Sequence, residues 1–534
     1  MIHYPSRRVF LGGALGTAGL LISRRIDGAA GTETTIEIGQ GRLRGYRNGE
    51  IHVFKGVPYG ASPAGAHRFQ APRAAPPWTG IRDATQYGPS SVQTAVAIND
   101  AKNLPADIPP MTKLLGWGND ANQSEDCLVL NIWTPALDRK KRPVMFRIHG
   151  GGFTIGSGSW PQSDGSAVAR RGDVVMVTVN HRLGGLGYLY LAEIGGDRYA
   201  DSGNAGMLDL VLALQWVRDN IAQFGGDAEN VTIFGESGGG FKVSTLLAMP
   251  AAKGLFHRAI VESGPGLRAR TPDAATAATR KLLQLLGISP NDLDKLHDVP
   301  GERFLQPQLQ VSPVLDGRSI TAHPADALAA GASSSVPLLI GSNQTESTLL
   351  GHLTALPAIA ALDEPGMLRR LQSVLGSHTA KIVDGYRRVW PKASAGDVLL
   401  YIEADRMMRM GSIELAERKL AGSAAPVFMY LFRWEGPALN GWFKSAHGLE
   451  VPFTMDNADS ASALSESPTS RALATRMSSA WIAFARHGDP SIKALPRWPK
   501  YTTKDRATMM LDDRPSIVND PFGERLVWEG VPLT

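Results

Sequence analysis

The sequence predicts an α/β fold with a mostly parallel central sheet, covering helices and large loop insertions. Three observations carry that prediction. Residues 143–149 and 173–180 are apolar runs of strand length, the second continuous in the manner of a strand buried on both faces. Residues 207–221 then carry Leu208, Val211, Leu212, Leu214, Val217 and Ile221 at helical spacing. Residues 231–234 read as a buried strand that turns abruptly through Gly235-Glu236-Ser237-Gly238-Gly239 into helical spacing over residues 241–247. Strand, helix, strand, sharp turn and helix in succession is βαβ order, which closes as a parallel sheet.

The remaining elements follow in chain order. Residues 34–45 alternate apolar and polar side chains as an antiparallel hairpin does. Phe54 to Tyr59 follows, and residues 68–80 form a proline-rich ordered loop whose aromatics need a core to lie on. Residues 91–123 are polar and irregular, with Trp117 near their end, and are expected to shape the mouth of a pocket. Strand character returns over 124–133. Beyond the sharp turn, residues 258–264, 336–341 and 427–434 read as strands, residues 270–310 as helices, and 471–487 as a final amphipathic helix. No internal repeat, low-complexity tract or interdomain linker interrupts residues 31–534, which read as one catalytic domain.

Composition excludes several classes of function. The 534 residues are 43% hydrophobic and 20% charged, ordinary for a globular protein. The formal charge is +5, but Arg7, Arg8, Arg24 and Arg25 against Asp27 concentrate it in residues 1–30, leaving about +2 elsewhere. No basic run interleaved with aromatics points to nucleic acid. The single cysteine, Cys127, excludes an internal disulfide framework and a thiolate metal cluster. At the N-terminus, Arg7-Arg8 precedes a glycine-rich apolar stretch and the small residues Gly28-Ala29-Ala30. That pattern resembles a twin-arginine (Tat) export signal with cleavage near Ala30, and implies a periplasmic or secreted mature protein. Its apolar part falls short of the ~20 residues that span a bilayer.

The chemistry gathers around residue 237. A G-x-S-x-G run between strand and helix is a nucleophile elbow, in which the serine sits strained at the apex of a tight turn. Glycine at 235 and 239 removes Cβ atoms that would strike the neighbouring strand and helix. The following helix points its free N–H groups at the place where an oxyanion forms. Upstream, the strand ending at His149 breaks into Gly150-Gly151-Gly152, which offers unobstructed N–H groups as a second part of an oxyanion hole. His149 leads into this run and is expected to brace it. A serine hydroxyl needs a base, and the base needs an acid to hold its tautomer and stabilise its cation. In this arrangement the order is Ser, acid, His, and the acid lies just beyond a strand's C-terminal end. Glu346 meets that condition; the rival, Asp316, belongs to an Asp-Gly pair that reads as a tight turn. Of twelve histidines, His447 lies in a loop after a strong strand and before a glycine, third in order.

With those residues in view the chain resembles the type-B carboxylesterase family, which includes the cholinesterases. The likeness rests on the elbow, Gly203-Asn204-Ala205-Gly206-Met207-Leu208-Asp209, Phe224-Gly225-Gly226-Asp227, Ser124 to Asn131, His149 to Phe153, and Asn180 with Arg182-Leu183-Gly184. It implies Ser237 as nucleophile, Glu346 as acid and His447 as base, with the N–H groups of Gly151, Gly152 and Gly238 as the oxyanion hole. It also implies hydrolysis of small-molecule carboxylic esters through an acyl-enzyme, with no metal or cofactor. Three features depart from the family pattern. Gly238 stands where alanine is usual, which predicts a looser backbone; Cys127 lacks the partner it has in animal relatives, which predicts a more mobile loop before it; and Thr345 and Ser347 flank the acid. Trp117, ten residues before Cys127, resembles the tryptophan of the cholinesterase cation site, a choline-type alternative. The opposing reading is that it packs its loop. A non-enzymatic adhesion role, known for this fold, is disfavoured by the intact Ser237, Glu346 and His447. Acyl and alcohol preference rests on loops 91–123 and 350–400, and oligomeric state is not legible in the sequence.

Overall fold

The computed structural model describes residues 32–533 apart from 97–99, 101, 103, 107, 119–121, 307–308 and 466–468. The export signal expected over residues 1–30 therefore lies outside the described residues.

Thirteen strands among the described residues form one sheet. They are β1 (Thr32–Ile38), β2 (Gly41–Asn48), β3 (Ile51–Pro58), β4 (Ile81–Asp83), β5 (Val129–Thr134), β6 (Arg142–Ile148), β7 (Val175–Val179), β8 (Gly226–Glu236), β9 (Arg258–Glu262), β10 (Leu338–Asn343), β11 (Val427–Phe432), β12 (Ala507–Leu511) and β13 (Ser516–Asn519). Their order is β1-β2-β3-β5-β7-β6-β8-β9-β10-β11-β12-β13, with β4 paired to β2. From β7 through β12 every neighbouring pair is parallel, as the βαβ order predicts. The outer pairs along that order are antiparallel, beginning with the β1–β2 hairpin expected at residues 34–45, while β4 pairs with β2 in parallel.

Alternation along the strands builds a core on each face. On β6, Val144, Phe146 and Ile148 join Val231 and Ile233 of β8 beneath α1 (Ala205–Asn220) and α2 (Gly238–Ala248). Met145, Phe234, Ile260, Leu339 and Phe428 point the other way and pack with Trp481 and Phe484 of α3 (Ser470–His487). Both faces are thus sealed, which is why these strands read as unbroken apolar runs.

The structure differs from the sequence reading in three places. The strand expected from residue 124 begins at Val129, because Cys127 and Glu125 form a tight backbone turn. Residues 350–400, treated as loop, are largely helical: Glu364–Leu375, Thr379–Val389 and Ala395–Ala404 follow one another, the last running on through a π-turn, Asp405–Arg409, into Met410–Ala421. Their apolar residues pack on each other and on the C-terminal Val527 and Trp528, a partnership only the fold supplies. Finally, β12 and β13 extend the sheet past the helix expected to be last, each too short to announce itself.

Candidate active site

Parallel strands deliver their C-terminal ends to one edge of the sheet, and that edge holds the predicted residues. β6 opens into His149 to Gly152, β8 into Ser237, β10 into Glu346, and β11, after a loop, into His447.

Ser237 is the N-terminal cap of α2, with φ 56° and ψ −122°. A side chain in that region costs on the order of 1–3 kcal/mol, so the surroundings must enforce it. They do. The Ser237 N–H donates to Glu262 O at 2.9 Å and its carbonyl accepts from Phe241 N at 2.9 Å. A Cβ on Gly235 would lie 2.5 Å from Ile148 O, and one on Gly239 2.2 Å from the same atom. The tight elbow therefore exists because both positions are glycine.

Glu346 is fully buried, and its Oε1 accepts from the Asn343 N–H at 2.7 Å. Its Oε2 lies 2.6 Å from His447 Nδ1, which sets the tautomer of the ring. The rival Asp316 accepts from the N–H groups of Arg318 and Ile320 and from Asn204, a turn, as its Asp-Gly pair predicts. His447 Nε2 faces Glu236 Oε1 at 3.1 Å without hydrogen-bond geometry, and Nε2 has no hydrogen-bond partner among the described residues. The group facing Nε2 is thus Glu236, the chain neighbour of Ser237, and no Ser237–His447 hydrogen bond is formed.

Three buried glutamates, Glu236, Glu346 and Glu450, act on this imidazole, and a fourth, Glu262, lies close enough to act on Glu450. Burial works to lower the His447 pKa, but Glu236 and Glu346 outweigh it and raise it from 6.5 to about 9. Burial raises Glu236 despite the attraction of His447, and burial together with Glu236 and Glu346 holds Glu450 well above the carboxylate range. Glu450 in turn accepts from Ser263 Oγ at 2.9 Å. Burial also brings Glu262 to about 7, where it accepts from Trp481 Nε1 at 2.6 Å. Sequence reasoning missed Glu236, Glu262 and Glu450 as site residues. The available signal was their position: each lies at a strand end or three residues past the histidine.

The glycine loop lies against the elbow. Gly151 and Gly152 have φ of 87° and 60°. Among the described residues nothing accepts from the N–H groups of Gly151, Gly152 or Gly238. A Cβ on residue 238 would lie 2.2 Å from Gly152 O and 2.4 Å from Gly152 N. The room of the methyl that glycine at 238 lacks is filled by Gly152 backbone atoms. His149 braces the loop as expected, its Nδ1 2.8 Å from Gly150 O and its ring stacked 4.7 Å from that of His181.

Trp117 is half-buried and stacks on Trp160 with centroids 5.4 Å apart and planes 23° from parallel. That contact accords with the loop-packing reading. Cys127 is a free, fully buried thiol. Among the described residues no cluster of His, Cys, Asp or Glu could hold a metal ion, and no helix is long and apolar enough to cross a membrane.

A strained serine at an elbow, an acid–imidazole pair and free backbone amides at the edge of such a sheet define a serine hydrolase of the α/β-hydrolase fold. The carboxylesterase family model matches residues 32–526, and the chain belongs to that family. It is 37% identical over 502 residues to the para-nitrobenzyl esterase of Bacillus subtilis, covering 91% of this chain and 96% of that one. The phenmedipham hydrolase of Pseudarthrobacter oxydans is 33% identical over 494 residues, covering 89% and 94%. Among solved structures, a carboxylesterase of Geobacillus stearothermophilus superposes with a TM-score of 0.80 at 40% identity, covering 93% of this chain and all of the other. The protein is accordingly a carboxylic ester hydrolase.

Proposed function

We propose that Ser237 is the nucleophile, His447 the general base and Glu346 the acid that orients and stabilises it. The observation that carries this assignment is the 2.6 Å Glu346–His447 contact at the sheet edge to which β8 also delivers the strained Ser237. His447 Nε2 takes the Ser237 proton as Oγ attacks the ester carbonyl. The N–H groups of Gly151, Gly152 and Gly238 receive the charge on the tetrahedral oxygen. His447 then returns the proton to the leaving alcohol, and water repeats the sequence on the acyl-enzyme. The serine–imidazole hydrogen bond that begins the cycle is one that ligand-free enzymes often form only with substrate in place. Ser237→Ala should fold normally, lose about 10⁴-fold or more of p-nitrophenyl acyl ester turnover, and fail to react with a fluorophosphonate probe. Turnover at the wild-type rate by that variant would overturn the assignment. The relative named for para-nitrobenzyl esters makes para-nitrobenzyl esters the first substrates to test.

The twin arginine and the small residues at 28–30 support export by the Tat route to the periplasm or beyond. Replacing Arg7-Arg8 by two lysines should retain the precursor inside the cell; processing near Ala30 that persists in that variant would refute the route.

A further inference from the structure

We propose that Lys242 is a positioning residue of the oxyanion hole, stapling the glycine loop from beneath by gripping the carbonyls on either side of its two amide donors. This inference rests on the oxyanion role proposed above for Gly151 and Gly152. Lys242 lies on α2, five residues past Ser237, and is wholly buried. Its Nζ donates to Gly152 O at 2.7 Å and to His149 O at 3.4 Å. Those carbonyls belong to the peptides just after and just before the two whose N–H groups would hold the oxyanion. The two carbonyls between are held separately, Gly150 O by the His149 ring and Gly151 O by Ile155 N at 3.1 Å. Every carbonyl from 149 to 152 is therefore tied down, and the donors of 151 and 152 are left free and fixed in direction.

The location argues for a purpose. Among the described residues no carboxylate pairs with this ammonium; its other neighbours are the Phe153 ring, 5.3 Å from Nζ, and the stacked rings of His149 and His181. Burying a cation without a counter-charge is unfavourable, and burial accordingly lowers its pKa to about 7. Burial and this same lysine keep both imidazoles well below their usual range, so neither competes as a cation. Protonated or neutral, the amine retains N–H donors for both carbonyls. Gly238 completes the device, since only a residue without a side chain admits the Gly152 peptide that Lys242 holds.

The test compares the full-length wild type, Lys242→Met, Lys242→Gln, Gly238→Ala and the double variants. The readouts are kcat and KM for p-nitrophenyl butyrate, and Ki for a trifluoromethyl ketone, whose adduct carries the oxyanion. Lys242→Met should lower kcat by about 10- to 100-fold and raise Ki by a similar factor, while KM moves by less than about twofold. Lys242→Gln, which still offers an N–H donor, should recover part of both losses. With Gly238→Ala in the background the Lys242 effects should shrink, because the alanine already displaces Gly152. A folded Lys242→Met with unchanged kcat and Ki overturns the proposal, as do fully additive double variants. If the Met variant does not fold, Lys242→Gln alone and with Gly238→Ala decides the matter through Ki and additivity. Failure of the underlying triad is seen separately: the wild type itself would then not label with a fluorophosphonate.

Discussion

The imidazole proposed as the base, which must be neutral to accept a proton, is held between two carboxylates. With the His447 pKa raised to about 9, mainly by Glu236 and Glu346 against burial, the ring is largely protonated at pH 7. Activity should therefore rise as pH increases through neutrality into the alkaline range, as the ring loses its proton. Glu236→Gln removes one of the two charges and should move the acid limb of kcat/KM to lower pH by about 1 to 2 units. A limb that stays in place would mean that Glu236 does not face the working imidazole. Glu346→Gln, by contrast, removes the group that sets the tautomer, so its main effect should be on kcat. Nothing in the residues around 236 marks that carboxylate as a partner of a histidine 211 positions away; only the meeting of β8 and the β11 loop does so.

At the scale of elements, the site depends on how loops are pinned to the sheet edge. Gly238→Ala places a methyl 2.2 Å from Gly152 O, backbone that cannot rotate aside. The variant should fold, because the elbow glycines 235 and 239 are untouched, but should lose about 10- to 100-fold in kcat. Alanine tolerated at wild-type rate would show that the glycine loop retreats without loss. A second pin joins the loop after β7 to α1. Arg182 donates from Nη2 and Nε to Asp209 at 2.6 and 2.9 Å, and its own N–H adds a bond at 3.0 Å. Asp209 is wholly buried and Arg182 nearly so. Arg182→Ala strands that carboxylate, which should destabilise the fold by about 3–5 kcal/mol. Urea unfolding followed by tryptophan fluorescence measures it, and a change under about 1 kcal/mol would place the pair's worth elsewhere.

For the molecule as a whole, the single thiol is a reporter. Cys127 lies in the core with Tyr59, Leu128 and Tyr188, and burial first, then Asp209, pushes its pKa up to about 12. A thiolate is the reactive form, so Ellman's reagent should find no thiol in the native protein and one per chain in denaturant. Rapid native reaction would mean that the segment around Cys127 opens without global unfolding. The opposite end of the chain is tied in by charge. Arg409, in the π-turn, bonds Asp405 at 3.1 Å, Glu524 at 3.2 Å and Pro521 O at 2.8 Å, holding residues 521–528 against the helices of 364–421.

Local sequence by itself determined the elbow, the glycine loop and the mostly parallel sheet, and it pointed to Ser237, Glu346 and His447 as the proposed triad. These are legible because each follows from spacing and steric need within a dozen residues, or from the order in which sheet-edge groups must arrive. Family resemblance added the roles. Tertiary structure alone decided the rest: the ring of glutamates that tunes His447, the lysine beneath the glycine loop, the filling of the space beside Gly238, and the helices and two strands that close the C-terminal half. Each of those is a relation between segments tens to hundreds of residues apart. A lone Glu or Lys in an apolar run carries no local sign of what it will touch, because desolvation and hydrogen bonding exist only after the segments have met.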